Sequence, residues 1–319
     1  MSSAYLNSAS FYILSGLFHS STIEMNRSFQ LVVATACLVF LAGCQADVPI
    51  ETPPGPPSSD IWLFDLSGAE VNLRARITDR EGYDNQPAFT EDGNQVIFSS
   101  DRTGQINTFS FDVDSGDIRQ ITFTDADKYS PTPIPGTGGI QISVVHSDSI
   151  VTQGLWRYSL DGKTEPSPIT DVDNVAYFTW IGTDRVLFWR LSTPTSLQLL
   201  DTKSSTSAVI VEGSVFSLKR IPSQDASAYL ASLSDNHAEI RHFDWETGQS
   251  MVLTPALENG RDFAVTPDGR LLMMSGSDLH SFEPGTSQDW DLVTNLGIGN
   301  SSRIAVSPDG LLLAVVGTH

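Results

Sequence analysis

The feature that most constrains the fold is a segment of four short strands that recurs along the chain. Residues 84–122 read as four apolar or alternating strands, each followed by a turn. Weaker copies follow, and their turn residues are spaced by 46, 45, 41, 44 and 41 positions. Those turn residues are Gly93, Gly139, Asp184, Asp225, Gly269 and Gly310. A period of this length is typical of a β-propeller whose blades each contain four antiparallel strands.

The two ends of the chain complement each other. The last repeat has only its first two strands, 302–307 and 311–316, whereas 61–65 and 71–78 match a third and a fourth strand. We therefore predict an all-β, six-bladed propeller over residues 60–319, closed by pairing the N-terminal strands with the C-terminal strands. Such closure removes exposed sheet edges. A β-sandwich would explain the frequent turns, but it does not require self-similarity at blade length.

One repeat carries a specific resemblance. Pro87–Gly93 followed by Val96–Gly104 is similar to the TolB-type, WD-repeat-like propeller repeat of bacterial envelope proteins. Residues 261–270 and 301–311 match it well, and the blades between 128 and 254 match loosely. The resemblance implies six blades and an envelope location. TolB has a separate α/β region ahead of its propeller, which has no counterpart here, so the chain resembles that propeller rather than TolB itself.

Residues 25–43 have the pattern of a lipoprotein signal peptide. Arg27 precedes the apolar run Leu31–Ala42, whose length suits a signal sequence better than a membrane span. The segment Leu41–Cys44 then resembles a bacterial lipobox. We predict Cys44 as the lipidated N-terminus of the mature chain. The alternative is a short membrane anchor that happens to contain a cysteine.

The flanking segments complete this organisation. Residues 1–24 lack a basic residue, so we interpret them as a start-site over-extension, with translation beginning at Met25; a genuine long leader is the alternative. Residues 44–59 are rich in proline, so we expect an extended tether with a rise of ~3.1 Å per residue and a length of roughly 40–50 Å. Gln45 after the cysteine favours the periplasmic side of the outer membrane, if the source has two membranes.

The net charge of the chain argues against some classes of binding partner. The chain has 38 acidic and 18 basic side chains and a net charge of −20. This argues against nucleic acid and against adsorption to anionic lipid, and it suits a basic partner. Acidic residues concentrate in the loops that join one predicted blade to the next. We predict a partner-binding face that comprises Asp79, Asp84, Asp125, Asp127, Asp171, Asp173 and Asp262.

Catalytic motifs are scarce. The sequence has neither a Gly-x-Ser-x-Gly elbow nor a phosphate-binding loop, and its histidines do not show metal-ligand spacing. We therefore expect a monomeric, non-catalytic module that binds an envelope protein or polymer and uses no metal or cofactor. The alternative function is a hydrolase or lyase that acts on a sugar or peptide at the mouth of the propeller channel.

Overall fold

The computed structural model describes residues 57–67, 70–149, 152–234 and 237–318, and all of their regular structure is β-strand. The first twelve strands are β1 (Ser59–Ser67), β2 (Glu70–Arg76), β3 (Asp84–Phe89), β4 (Gln95–Ser100), β5 (Asn107–Asp112), β6 (Ile118–Gln120), β7 (Asp127–Pro133), β8 (Gln141–Ser149), β9 (Thr152–Ser159), β10 (Ser167–Asp173), β11 (Val175–Ile181) and β12 (Arg185–Arg190). The other twelve are β13 (Ser196–Asp201), β14 (Thr206–Glu212), β15 (Ser214–Ile221), β16 (Ala226–Ser234), β17 (His237–Asp244), β18 (Ser250–Pro255), β19 (Phe263–Val265), β20 (Leu271–Ser275), β21 (Asp278–Phe282), β22 (Asp291–Asn295), β23 (Ser301–Val306) and β24 (Leu312–Thr318).

These strands form six four-stranded antiparallel sheets, as the sequence predicted. Blades 1 to 5 are β3–β6, β7–β10, β11–β14, β15–β18 and β19–β22, and blade 6 combines β23, β24, β1 and β2. The first strands of successive blades contact one another, as in the pairs β11 with β15 and β19 with β23. The first strand of each blade is therefore innermost and lines the axis of the propeller.

Blade 6 closes the ring in the predicted way. Strand β1 pairs antiparallel with β24 from Ser59 opposite Thr318 to Asp65 opposite Leu312. The backbone groups of β1 and β24 are thereby hydrogen-bonded to each other, so neither strand is left as a free edge. The predicted closure by N-terminal and C-terminal strands is confirmed.

The core lies in the seams between blades. Along β4, Val96 and Phe98 pack toward blade 6, whereas Ile97 packs with Ile142 and Val144 of blade 2. Six apolar clusters follow this rule, one at each boundary between neighbouring blades. Because both faces of a second strand are buried, these strands are mainly apolar instead of alternating, with single buried serines at Ser143 and Ser227.

The innermost strands of five blades are irregular. Their pairing with the second strand shifts register within the first three residues of the strand, after Asn85, Tyr129, Val175, Val215 and Ser301. A bulge inserts extra residues into one strand and redirects their side chains. In β3 and β7 the inserted residues include Gln86 and Ser130, which adopt φ values of 56° and 52°. The bulges thus supply several of the residues that face the propeller axis.

Candidate functional site

A central channel of about 290 Å³ is lined by the innermost strands of all six blades. Its lining includes the bulge residues Gln86, Pro87, Ser130, Pro131, Tyr177 and Phe216. It also includes Lys219, Asp262 and Arg303. The channel therefore combines apolar side chains with uncharged polar side chains and a small number of charged groups.

The Arg303 side chain crosses this channel. It belongs to β23 of blade 6, and its Nη2 donates a 2.9 Å hydrogen bond to Tyr177 Oη on β11 of blade 3, the blade opposite in the ring. The guanidinium carbon lies 5.3 Å from the centre of the Tyr177 ring, within the range of a cation–π contact. Burial alone would lower the pKa of Arg303, but nearby Tyr177 and Asp262 outweigh it, and the pKa is raised. The guanidinium is therefore charged.

A second charged group joins blades 4, 5 and 6. Asp262 accepts hydrogen bonds from Ser217 Oγ and from the Ile304 backbone N–H, the latter at 3.0 Å. Lys219 Nζ lies 3.3 Å and 3.4 Å from its two carboxylate oxygens. Asp262 is only 5% exposed. It therefore holds three blades together around the channel.

The connections between blades define one face of the disc, which we call the loop face. In a four-stranded antiparallel blade the first strand begins and the fourth strand ends at the same side. All fourth-to-first connections therefore lie on the loop face, and the second-to-third loops lie there too. Each of the seven predicted acidic residues lies in or next to a fourth-to-first connection.

Four of these seven residues form an exposed group, which we call the acidic arc. It comprises Asp79, Asp125, Asp171 and Asp173, all exposed. They lie at the junctions from blade 6 to 1, 1 to 2 and 2 to 3, which are consecutive in the ring. Asp79 and Asp173 are paired with Arg76 and Arg190 respectively.

The other three predicted residues have structural contacts. Asp84 is fully buried and accepts hydrogen bonds from Arg80 and Arg102 at 3.1 Å and 3.0 Å. Asp262 is buried as described above. Asp127 is half-buried and accepts hydrogen bonds from the Ile106 backbone N–H, Gln105 and Tyr129. The expectation that Asp84 and Asp262 belong to an exposed face therefore needs correction, because both carboxylates are buried.

Sequence reasoning missed the channel residues Tyr177, Lys219 and Arg303. None of them lies in a recognisable motif, and in the sequence each is an ordinary polar position of an alternating strand. A signal did exist for the neighbouring bulges, because Pro87 and Pro131 interrupt innermost strands. Proline cannot donate to a strand ladder and is found at bulges.

Within the described part of the chain, no group of three or more His, Cys, Asp or Glu side chains is arranged to hold a metal ion. Nor does this part contain a helix long and apolar enough to cross a membrane. Cys44, the signal peptide and residues 44–56 of the tether lie outside the described residues.

Solved structures share this architecture. A candidate TolB from Agrobacterium tumefaciens superposes with a TM-score of 0.64 at 12% identity, over 83% of this chain and 99% of that one. The fold is that of the TolB propellers. TolB from Acinetobacter baumannii gives a TM-score of 0.53 at 14% identity, over 82% of this chain and 64% of that one. The predicted resemblance to TolB is confirmed at the level of the fold.

Other comparisons place this fold among diverse proteins. An oligogalacturonate lyase in complex with manganese gives a TM-score of 0.53 at 13% identity, over 78% of this chain and 80% of that one. No known family profile matches the chain. An uncharacterized Agrobacterium fabrum protein is 34% identical over 77 residues, which is 24% of this chain and 25% of that protein. The chain thus matches only a quarter of that relative's length.

Proposed function

We propose that this protein is a lipid-anchored bacterial envelope protein whose propeller is a non-catalytic recognition module. The lipobox-like segment ending at Cys44 and the proline-rich tether support the anchor. The sequence resemblance and the structural neighbours agree on a TolB-like fold, and this fold supports an envelope location. The tether would hold the propeller away from the lipid, where its loop face can meet a large partner.

The acidic arc is the observation that carries the proposal. Its exposed carboxylates come from three consecutive blade junctions, so residues far apart in the sequence act on one stretch of the loop face. Two of them, Asp125 and Asp171, form no ion pair among the described residues. Together with the net charge of −20, they would attract a basic partner and speed its encounter, an effect that salt screens.

A comparison of two charge-matched variants tests this recognition surface. Asp125, Asp171 and Asp173 are replaced together by Asn, while Asp127 is kept because it bonds the Ile106 N–H. The control replaces Asp114 and Asp117 by Asn and Glu246 by Gln. These three are exposed and lie on the opposite face. In pull-downs from intact envelopes, the first variant should lose the captured partner and the control should keep it.

Kinetics with the captured partner complete this test. The association rate should fall with rising salt for the wild type and the control, and the arc variant should show a weaker dependence. Equal capture by all three proteins, with a rate that ignores salt, would move the recognition site away from the acidic arc.

Replacement of Cys44 tests the anchor separately. Cys44→Ala should abolish incorporation of labelled fatty acid and leave an unprocessed precursor. Mass spectrometry of the wild-type protein should identify Cys44 as the modified N-terminal residue. A mature N-terminus elsewhere contradicts the lipoprotein assignment but leaves the recognition surface unaffected.

An enzymatic function is the second candidate, and the channel is the observation that favours it. Tyr177, Lys219 and Arg303 line a cavity of about 290 Å³, and such side chains can act in proton transfer or charge stabilisation. The lyase among the structural neighbours acts on oligogalacturonate, so that polymer is the first substrate to assay. Turnover that disappears in Lys219→Met would overturn the non-catalytic proposal.

A further inference from the structure

We propose that the central channel binds a small organic carboxylate, with Arg303 as its principal contact. The inference rests on the channel alone and does not require the acidic arc or the lipid anchor. It concerns an anion, whereas the arc would recognise a basic partner, so the two sites can be tested independently.

Arg303 has more hydrogen-bond donors than its contacts with described residues use. A guanidinium has five N–H donors. Arg303 uses one for the Ser302 carbonyl at 2.7 Å and one for Tyr177 Oη at 2.9 Å. Its contacts with described residues leave the other three N–H groups available, and no carboxylate among those residues lies within ion-pair distance. A planar carboxylate can accept two parallel hydrogen bonds from such a group.

Positive charge exceeds negative charge in the channel. Arg303, Lys219 and Arg220 supply three cations, and Asp262 supplies the one carboxylate in the lining. Arg220 is exposed and lies over the Trp245 ring, whereas Lys219 lies 3.3 Å from Asp262, which also accepts hydrogen bonds from Ser217 and Ile304. Arg303 therefore has no carboxylate partner among the described residues, and an anion would neutralise its charge at short range.

The volume and the walls of the channel suit an organic ligand. The cavity of about 290 Å³ would hold roughly nine or ten waters, which suits a small molecule or the end of a chain. Its walls include Pro87, Pro131, Phe178 and Phe216, and Tyr177 lies against the guanidinium. These groups favour a carboxylate attached to a flat apolar body over an inorganic anion.

Benzoate and benzamide form a matched pair of probes, because they share shape and differ in charge. At constant ionic strength, calorimetry on the wild-type protein should detect benzoate and show binding of benzamide at least about tenfold weaker. Arg303→Met should reduce benzoate affinity by a similar factor. The control Arg119→Met removes the same charge from the exposed outermost strand of blade 1 and should leave the affinity unchanged.

A spectroscopic measurement on the wild type avoids any dependence on variant folding. With ¹⁵N-labelled arginine, the side-chain resonance of Arg303 should shift with benzoate and stay unmoved with benzamide. Binding of N-acetylphenylalanine, compared with binding of its amide, then tests whether the carboxylate can belong to the C-terminal end of a peptide. Stronger binding of the acid than of benzoate favours a chain terminus, and the reverse favours a free small acid.

Three results would overturn the inference. These are no benzoate binding at millimolar concentration, equal binding of benzoate and benzamide, or unchanged benzoate affinity in a folded Arg303→Met variant. If the variant of the acidic arc kept its partner, that result would not count against the inference, because Asp125, Asp171 and Asp173 do not line the channel.

Discussion

Arg303 and Tyr177 are 126 residues apart in the chain, yet their side chains share a 2.9 Å hydrogen bond across the propeller axis. One residue belongs to blade 6 and the other to blade 3, so the contact joins opposite sides of the ring. The contact therefore depends on the placement of two blades that face each other across the axis. The pairing between β1 and β24 closes the ring to which both blades belong.

Deletion of residues 59–78 should therefore prevent cooperative folding. It removes β1 and β2, exposes the edge of β24 and takes Ile61 and Leu63 out of the seam between blades 6 and 1. Thermal unfolding followed by circular dichroism should show no sharp transition. A protein that starts at Pro57 should melt like the full chain. If the deletion variant kept that melting temperature, ring closure would not control stability.

Substitution of Gly317 should weaken the same closure in a graded way. A Cβ atom at this position would lie 2.5 Å from the Ile298 carbonyl oxygen and 2.9 Å from the Trp62 ring. Gly317→Ala should therefore lower the free energy of unfolding by about 1–3 kcal/mol, the usual cost of overpacking. Gly154→Ala, where the nearest atom is 3.4 Å away, is the control. Equal urea midpoints for the two variants would contradict the steric argument.

Loss of the Asp84 carboxylate should be costly. Asp84 is fully buried and balances Arg80 and Arg102, which are 29% and 20% exposed. Asp84→Ala should lower the free energy of unfolding by about 2–4 kcal/mol, somewhat less than for a fully buried pair because both arginines reach solvent. Asp65→Ala breaks an exposed pair with Arg74 and should cost less than about 1 kcal/mol. Denaturant titration distinguishes the two, and similar losses would reject a special role for Asp84.

Lys128 should make stability depend on pH under alkaline conditions. Its ammonium is buried and bonded to Thr124 and the Ala126 carbonyl, and burial lowers its pKa to about 8. The unfolded chain keeps this proton up to roughly pH 10.4. The unfolded state therefore binds more protons between these values, and the free energy of unfolding should rise with pH from about 8 toward 10.

Two variants isolate this contribution. Lys128→Met should flatten the rise, as measured by urea unfolding at pH 7.5 to 9.5, values chosen to bracket the pKa of about 8. Lys163→Met removes an exposed ammonium and should retain the wild-type slope. A Lys128→Met slope equal to that of the wild type would mean that the lysine is not desolvated in the folded protein.

The sequence by itself determined the architecture, because turn residues and strand periodicity are local properties that recur. Gly93, Gly269 and Gly310 mark equivalent turns, and the split repeat at residues 61–78 and 302–316 specifies both the number of blades and the way the ring closes. Both faces of each second strand are buried, and the apolar run from Val96 to Phe98 therefore indicates such a strand from the sequence alone.

Only the tertiary structure decided which charged side chains are buried and which meet across the axis. Asp84 and Asp125 both lie at junctions between blades, but Arg80 and Arg102 enclose the first while the second stays exposed. A bulge of one or two residues decides whether a side chain faces the channel. The sequence of blade 3 matches the repeat only loosely, so it did not reveal the bulge in β11 that presents Tyr177 to Arg303. Such pairings depend on the closed ring, because no local pattern relates positions in opposite blades.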